Sequence, residues 1–166
     1  MELTDLIKTR RSIRKFKDEP VPDSRIYEIL EAGRWSPSGK NNQPWRFVVI
    51  KNKEIKDELA ALTKYSSIIK SSDFCIAVFY HTPSGYDRDK DLMSIGSCIQ
   101  NMLLQSHSLN IGSVWLGEIL KNKEKINPVL EIDQDNENMA IIAFGYSDEE
   151  AESDRLSMNE ILLKIL

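Results

Sequence analysis

Hydrophobic positions along the chain repeat with two different periods, which predict helices in some segments and strands in others. Apolar residues spaced three and four apart predict helices at 2–9, 23–34, 53–62, 92–109 and 122–130. Short, nearly continuous apolar runs predict strands at 46–51, 74–80, 113–117 and 139–146. Asn110 is placed to end the long helix, and the capping-box pattern of Ser157 and Glu160 predicts a last helix that runs to Leu166.

The order of these elements is compatible with two architectures. Alternating strands and helices first suggest a parallel, doubly wound sheet, but the chain has no GxGxxG after its first strand and no GxxxxGK[ST]. Helices at both ends and a long central helix suit an α+β packing equally well, so spacing alone leaves both open. Polar loops at 36–44 and 81–91 separate elements, and no repeat or linker divides residues 1–166. We therefore expect one domain.

Composition narrows the class of protein. The 166 residues, 41% hydrophobic and 29% charged, are typical of a soluble globular protein. The longest apolar runs are far shorter than a membrane span, and the N-terminus lacks the apolar core of a secretion signal, so we expect a cytoplasmic protein with no membrane partner. Cys75 and Cys98 lack the spacing of a metal site or a disulfide framework, and we expect two buried thiols and no metal.

A basic segment at residues 8–17 contrasts with the acidic remainder. It contains six of the 22 Lys and Arg residues, although the whole chain carries a net charge of −4. Arg10, Arg11 and Arg14 surround Ser12, and guanidinium groups with a hydroxyl are suited to holding a phosphate or an oxygen-rich ring edge. Taken alone, such a cluster is more often a solvated surface. The acidic remainder and the absence of RNA-binding signatures argue against a nucleic-acid partner.

Three segments taken together carry a resemblance to a known family. RRSIRKF at 10–16, SPSGKNNQPWRF at 36–47 and NIGSVWLG at 110–117 resemble the motifs of the nitroreductase family of FMN-dependent oxidoreductases, in the same order and with similar spacing. FGY at 144–146 and the late Arg155 fit the resemblance as well. It implies an α+β fold of three layers, with a mixed central sheet flanked by helices. It also implies a homodimer that binds FMN at the subunit interface.

The resemblance implies residues for the phosphate end of FMN. Arg10, Ser12 and Arg155 would hold the phosphate, and a dianion needs several donors. Arg11 would contact the ribityl chain or the phosphate. Larger members of the family have a lysine two residues before the late arginine, whereas this chain has Ser153. The phosphate site would therefore depend more strongly on the two arginines.

Other residues would contact the flavin ring. Arg14 would face the pyrimidine edge, where a cation stabilises the negative charge of the reduced ring. Asn41 would bond the same edge through its side-chain amide. Two further groups would lie against the ring: Ser38 and Gly39 from the partner subunit, and Trp115, Leu116 and Gly117.

The activity implied by the resemblance is that of an oxidoreductase. NAD(P)H would pass hydride through flavin N5 to a small acceptor, such as a nitroaromatic or a quinone, by a ping-pong mechanism. No side chain is expected as a catalytic acid or base, and the chain has no GxSxG or convincing Cys–His pair. The short loop at 81–91 replaces a long insertion of larger members, so the acceptor stays open, as does NADH versus NADPH. The alternatives are a flavin-binding or sensing module without turnover and a specialised branch such as a reductive dehalogenase.

Overall fold

The computed structural model describes residues 2–166, which form four strands and seven helices. The strands are β1 (Trp45–Ile50), β2 (Phe74–His81), β3 (Gly112–Leu116) and β4 (Asn136–Gly145). The helices are α1 (Leu3–Thr9), α2 (Asp23–Arg34), α3 (Lys53–Ala60), α4 (Ser66–Ser71), α5 (Arg88–Ser108), α6 (Lys123–Leu130) and α7 (Met158–Ile161). None of the helices in this described part combines the length and apolar character that a membrane span needs.

The four strands form one sheet in the order β1-β2-β4-β3, and this confirms the expected α+β class. The mixed sheet that was expected is instead antiparallel in all three strand pairs of the described residues. Parallel pairing is limited to a single bridge between Ser12 and Ser113. β2 and β4 occupy the centre, where both faces of a strand are covered, and this explains why their sequences are almost continuously apolar.

Helices cover both faces of the sheet and complete the three expected layers. On one face, α2 and α5 pack against side chains such as Ile76 and Ile142. On the other face, α3, α4 and α6 cover a second cluster that includes Ala77 and Ile141. Neighbouring residues of β2 and β4 thus contribute to opposite faces, because successive side chains of a strand point in opposite directions.

Both cysteines are buried free thiols, as the sequence predicts. Cys75 lies in one hydrophobic cluster and Cys98 in the other. Burial raises the pKa of Cys75 to about 11 and that of Cys98 to about 12, so both thiols are protonated at neutral pH. Within the described residues, no group of His, Cys, Asp and Glu side chains is placed to hold a metal ion.

Two helix boundaries differ from the prediction by a turn or more. α5 begins at Arg88, one turn before the expected start, because the Asp87 carboxylate caps it by accepting a hydrogen bond of 3.2 Å from the Lys90 backbone N–H. Its end agrees with the prediction, and Asn110 adopts the left-handed conformation with φ 59°. α7 ends at Ile161 instead of Leu166, because the residues that follow are exposed and bury no apolar face against this chain.

Candidate functional site

After α1 ends at Thr9, the rest of the basic segment runs in an extended conformation beside the edge strand β3. The Ile13 backbone N–H donates to the Ser113 carbonyl at 3.0 Å. From the other side, the Glu149 carboxylate accepts a hydrogen bond of 2.5 Å from the Arg14 backbone N–H. These contacts fix the backbone at Ile13 and Arg14, so the position from which the Arg14 side chain departs is set by the sheet edge.

The first pocket of the candidate site has a volume of about 250 Å³ and gathers basic residues from both ends of the chain. It is lined by Arg10, Arg11, Ser12, Arg14, Ala151, Glu152, Ser153 and Arg155. The four residues that the resemblance assigns to the phosphate end of FMN are therefore together. They are Arg10, Arg11, Ser12 and Arg155.

The charges in this pocket favour an anion. Burial lowers the pKa of Arg10, and the positive charges of Arg155 and Arg11 lower it further. Within residues 2–166, neither Arg10 nor Arg155 forms an ion pair, and the acid in the lining, Glu152, forms none either. Like charges held together without an acidic partner are stabilised by a bound anion. A phosphate group fits this donor set, because its oxygens accept from several guanidinium N–H groups at once.

Arg11 lines this pocket, and His107 lies near it outside the lining. The Arg11 guanidinium donates to the carbonyls of Lys8 at 2.6 Å and Arg10 at 2.8 Å, so part of its donor capacity is used at the end of α1. His107 Nε2 lies 2.9 Å from the Thr9 hydroxyl. Burial, together with the charges of Arg10 and Arg11, lowers the pKa of His107. The imidazole is therefore neutral at physiological pH and adds no further positive charge.

A second pocket of about 280 Å³ adjoins the first and shares Arg14 with it. Its lining consists of Arg14, Tyr65, Ile68, Val114, Trp115, Leu116, Gly117 and Glu118. Trp115 is 43% exposed, whereas Leu116 is buried. A methyl group added at Gly117 would have no neighbour within 4 Å, so the backbone there faces open space. The two pockets together suit a molecule with a phosphate at one end and a flat ring at the other.

Three predicted site residues lie outside both pockets. Ser38, Gly39 and Asn41 belong to the loop at 38–43, which is not part of either lining. The Ser38 hydroxyl accepts a hydrogen bond of 3.0 Å from the Gln43 backbone N–H and closes this loop. Lys40, Asn41 and Gln43 have positive φ angles of 55°, 55° and 47°. Such clustered left-handed residues are typical of functional loops, because the surrounding structure must hold them there.

Asp91 is a residue of this region that the sequence analysis did not identify. It is fully buried. Its carboxylate accepts hydrogen bonds from Asn42 Nδ2 at 2.7 Å, the Tyr80 hydroxyl at 3.1 Å, and the backbone N–H groups of Tyr86 at 3.0 Å and Asp87 at 3.3 Å. Burial alone would raise the pKa of Asp91, but these hydrogen bonds outweigh it and lower the pKa. The ionised carboxylate thus ties the 38–43 loop to the 81–87 segment.

Comparisons with known proteins identify relatives over most of the chain. Residues 7–66 and 62–146 match the sequence model of the Nitroreductase family. YfhC of Bacillus subtilis, which carries the provisional name of an NAD(P)H nitroreductase, is 36% identical over 170 aligned residues that span 90% of this chain and 87% of that protein. A Methanothermobacter thermautotrophicus protein, provisionally named an NADH dehydrogenase/NAD(P)H nitroreductase, is 32% identical over 88% of this chain and 78% of its own length.

A solved structure agrees with these matches. The crystal structure of a Desulfovibrio desulfuricans protein, described provisionally as a nitroreductase in complex with FMN, superposes with a TM-score of 0.96. The two sequences are 40% identical, and the superposition covers 100% of this chain and 98% of the other. The similarity therefore extends through the 38–43 loop, both pockets and the C-terminal segment.

Proposed function

This chain belongs to the nitroreductase family, and from that membership we propose that it is a cytoplasmic, FMN-dependent oxidoreductase that passes hydride from NAD(P)H to a small acceptor, such as a nitroaromatic or a quinone. The observation that carries the proposal is the meeting of Arg10 and Arg155 in one pocket, which Arg14 joins to a second. When bound, FMN supplies the hydride chemistry at its N5 position.

The residues of the two pockets would bind and orient the cofactor. Arg10 and Arg155 supply charge-assisted hydrogen bonds to the phosphate, and the Ser12 hydroxyl supplies a further donor. Arg14 stands between the pockets and brings a permanent positive charge to the ring, where negative charge develops during reduction. Trp115 supplies a flat, half-exposed wall against which a ring can pack. The protein thus contributes position and charge, and no side chain is required to transfer a proton.

Anaerobic titration of the FMN-loaded protein tests this proposal. NADH or NADPH should bleach the flavin absorbance, and a nitroaromatic or a quinone added afterwards should restore it. Initial rates should give parallel lines in double-reciprocal plots, because donor and acceptor use the site in turn. A flavin-loaded protein that neither nicotinamide bleaches would contradict the proposal and favour a sensing module. Failure to bind FMN would contradict it entirely.

The proposed enzyme is a homodimer with FMN between the subunits. Two features of the chain support this arrangement. The 38–43 loop lies apart from the two pockets, so a second copy is needed to bring Ser38, Gly39 and Asn41 to the same ring. The C-terminal segment also exposes seven apolar side chains, namely Leu156, Met158, Ile161, Leu162, Leu163, Ile165 and Leu166. A concentration of exposed apolar surface of this kind marks an interface between proteins.

Shortening the C-terminal segment tests the dimer. Deleting residues 162–166 removes exposed apolar side chains but leaves Arg155 and α7 in place. We expect the full chain to sediment as a dimer and the shortened chain to have a larger dimer dissociation constant. The shortened chain should also bind FMN more weakly and keep an unchanged circular dichroism spectrum. The substitution Lys164→Ala serves as a control, because it changes the same segment without removing apolar surface. A full-length monomer that binds FMN and turns over at the normal rate would contradict the dimer.

A further inference from the structure

A surface that combines an aromatic ring with positive charge adjoins the 38–43 loop. Tyr86 lies directly against this loop, since a methyl group added at Gly39 would overlap the Tyr86 hydroxyl. The Lys40 ammonium lies 4.8 Å from the centroid of the Tyr86 ring, and the Lys90 ammonium lies 5.5 Å from it. Tyr86 is nevertheless 39% exposed, so part of its ring is accessible to another molecule.

Asp91 holds this surface in one arrangement. Its carboxylate accepts from the Tyr86 backbone N–H at 3.0 Å and from Asn42 Nδ2 at 2.7 Å, and Asn42 also donates to the Ser84 carbonyl at 3.0 Å. The left-handed backbone of Lys40, with φ 55°, fixes the direction in which its side chain leaves the loop. Lys40 and Tyr86 are therefore preorganised with respect to each other, which reduces the entropy lost when a ligand binds between them.

The charge of this surface resides mainly on Lys40. Lys90 is paired with the Asp87 carboxylate at 2.8 Å, and the negative charge of Asp89 also helps to raise the pKa of Lys90. Lys40 forms no ion pair within the part of the chain that the structure describes. An ammonium group without an acidic partner, beside an accessible aromatic ring, suits a flat molecule that carries a negative group.

We propose that Lys40 and Tyr86 form the acceptor-side wall of the partner's flavin site and select flat aromatic acceptors that carry an anionic group, for example a nitrobenzoate. This inference rests on the proposed function, in which the 38–43 loop approaches the partner's cofactor. The Tyr86 ring packs against the acceptor ring, and the Lys40 ammonium pairs with its carboxylate. Over one turnover, NAD(P)H loses a hydride, the nitro group gains these two electrons with a further proton from solvent, one N–O bond breaks, and nitroso compound and water are released.

Two matched acceptors test the selection. 4-Nitrobenzoate and 4-nitrobenzamide share the ring, the nitro group and nearly the same size, but only the first is charged. The ratio of their kcat/KM values is measured with the FMN-loaded protein at a fixed NADH concentration. Its change from one variant to another reports the effect of charge, because the intrinsic difference in reactivity between the two acceptors cancels. Lys40→Gln removes the ammonium, Lys40→Arg keeps the charge, and Lys53→Gln removes an exposed lysine at the start of α3, away from the loop.

We expect the wild type to favour 4-nitrobenzoate and Lys40→Gln to lower the ratio about fivefold, equivalent to about 1 kcal/mol for two charges roughly 4 Å apart in water. Lys40→Arg and Lys53→Gln should keep the ratio. Added salt should lower the wild-type ratio toward that of Lys40→Gln, because an exposed charge pair is screened. Tyr86→Leu should raise KM for both acceptors and leave the ratio unchanged.

Several outcomes would overturn the inference. Equal ratios in the wild type and Lys40→Gln, with both acceptors turned over, would refute it and leave the proposed function standing. If Lys40→Arg lowered the ratio as much as Lys40→Gln does, the charge of Lys40 would not be the cause of the acceptor preference. A change in the preference for NADPH over NADH, with an unchanged acceptor ratio, would assign Lys40 to the 2′-phosphate of NADPH instead. Failure of FMN reduction in the wild type would instead refute the proposed function, and the inference with it.

Discussion

Arg10 provides the most direct test of the phosphate pocket. Arg10→Met removes the guanidinium and retains an unbranched apolar side chain, so the packing beside α1 is disturbed little. A hydrogen bond to a charged group contributes about 1.5–3 kcal/mol. The substitution also relieves the repulsion that Arg155 and Arg11 exert on Arg10 in the free protein, which places the net loss near the lower end of that range. A loss of about 1.5–2 kcal/mol corresponds to a 10- to 30-fold increase in the Kd for FMN.

The assay compares FMN with riboflavin, which has the same ring and ribityl chain but no phosphate. Titration of the apoprotein with each, followed by flavin fluorescence, should show that Arg10→Met weakens FMN binding and changes riboflavin binding less than about twofold. Arg25→Met is a suitable control, because Arg25 is an exposed residue of α2 that pairs with Glu28. Equal weakening of FMN and riboflavin would refute the assignment of Arg10 to the phosphate. Unchanged FMN binding would remove Arg10 from the site.

Two further predictions concern other charged residues. Arg14→Ala should slow flavin reduction by NAD(P)H about tenfold while weakening FMN binding less, because its charge acts on the developing negative charge of the ring. Rapid-mixing kinetics measure the first effect and an FMN titration the second, and equal effects would contradict this assignment of Arg14. Glu137→Gln should lower the free energy of unfolding by about 1–2 kcal/mol at pH 7. This value is kept small because the partners of Glu137 are half-exposed to solvent. Hydrogen bonds from Arg88 and then Lys123 lower the pKa of Glu137 to about 2 from an ordinary value of 4.5. Because the pKa of Glu137 is lowered in the fold, its carboxylate stabilises the fold above the ordinary pKa of 4.5, and this stabilisation is lost as pH falls toward 2. The denaturation curves of the wild type and Glu137→Gln should therefore converge there. A constant difference would contradict this reasoning.

Hydrophobic periodicity predicted where elements lie better than how they pair. All four strands were found within a few residues of their expected positions, because an apolar run reports the burial of its own segment. The direction of pairing depends on how the intervening chain crosses the sheet, and the sequence pattern contains no information about that path. The alternation of strands with helices consequently looked compatible with a parallel sheet, whereas every strand pair is antiparallel.

Asp91 shows a different limit of sequence reasoning. Because Asp91 is charged, it was assigned to the polar loop at 81–91, although it lies four residues before Ile95 on the buried face of α5. Its helical spacing from Ile95 was a signal that could have identified it. Its four hydrogen-bond donors come from three separate segments, and no local pattern reveals that they converge. A buried carboxylate of this kind can be recognised only after its partners are in place.

The candidate site was predicted through the resemblance of its motifs and not from charge alone. The basic segment was visible in the sequence, but it lines one pocket together with Arg155, which is far away along the chain. Local spacing cannot predict that the two come together. The structure also adds Glu149, whose carboxylate binds the Arg14 backbone. Glu149 belongs to an acidic stretch, DEEAESD at 148–154, that precedes Arg155. This stretch thus helps to fix the segment that carries the arginines.

The division of the site has a thermodynamic consequence for the proposed dimer. The arginine pockets and the 38–43 loop lie apart in one chain, so an FMN held by both must contact two subunits. Any ligand that binds the dimer better than the monomer stabilises the dimer, by about 2.7 kcal/mol at a concentration 100 times its Kd. FMN should therefore lower the dimer dissociation constant, and the dimer should bind FMN more tightly than the monomer by the same coupling free energy, since such coupling is reciprocal. Sedimentation with and without FMN measures one side of this relation, and FMN titration of the full chain at protein concentrations below and above the dimer dissociation constant measures the other. If the two effects differ in size, the cofactor does not bridge the subunits.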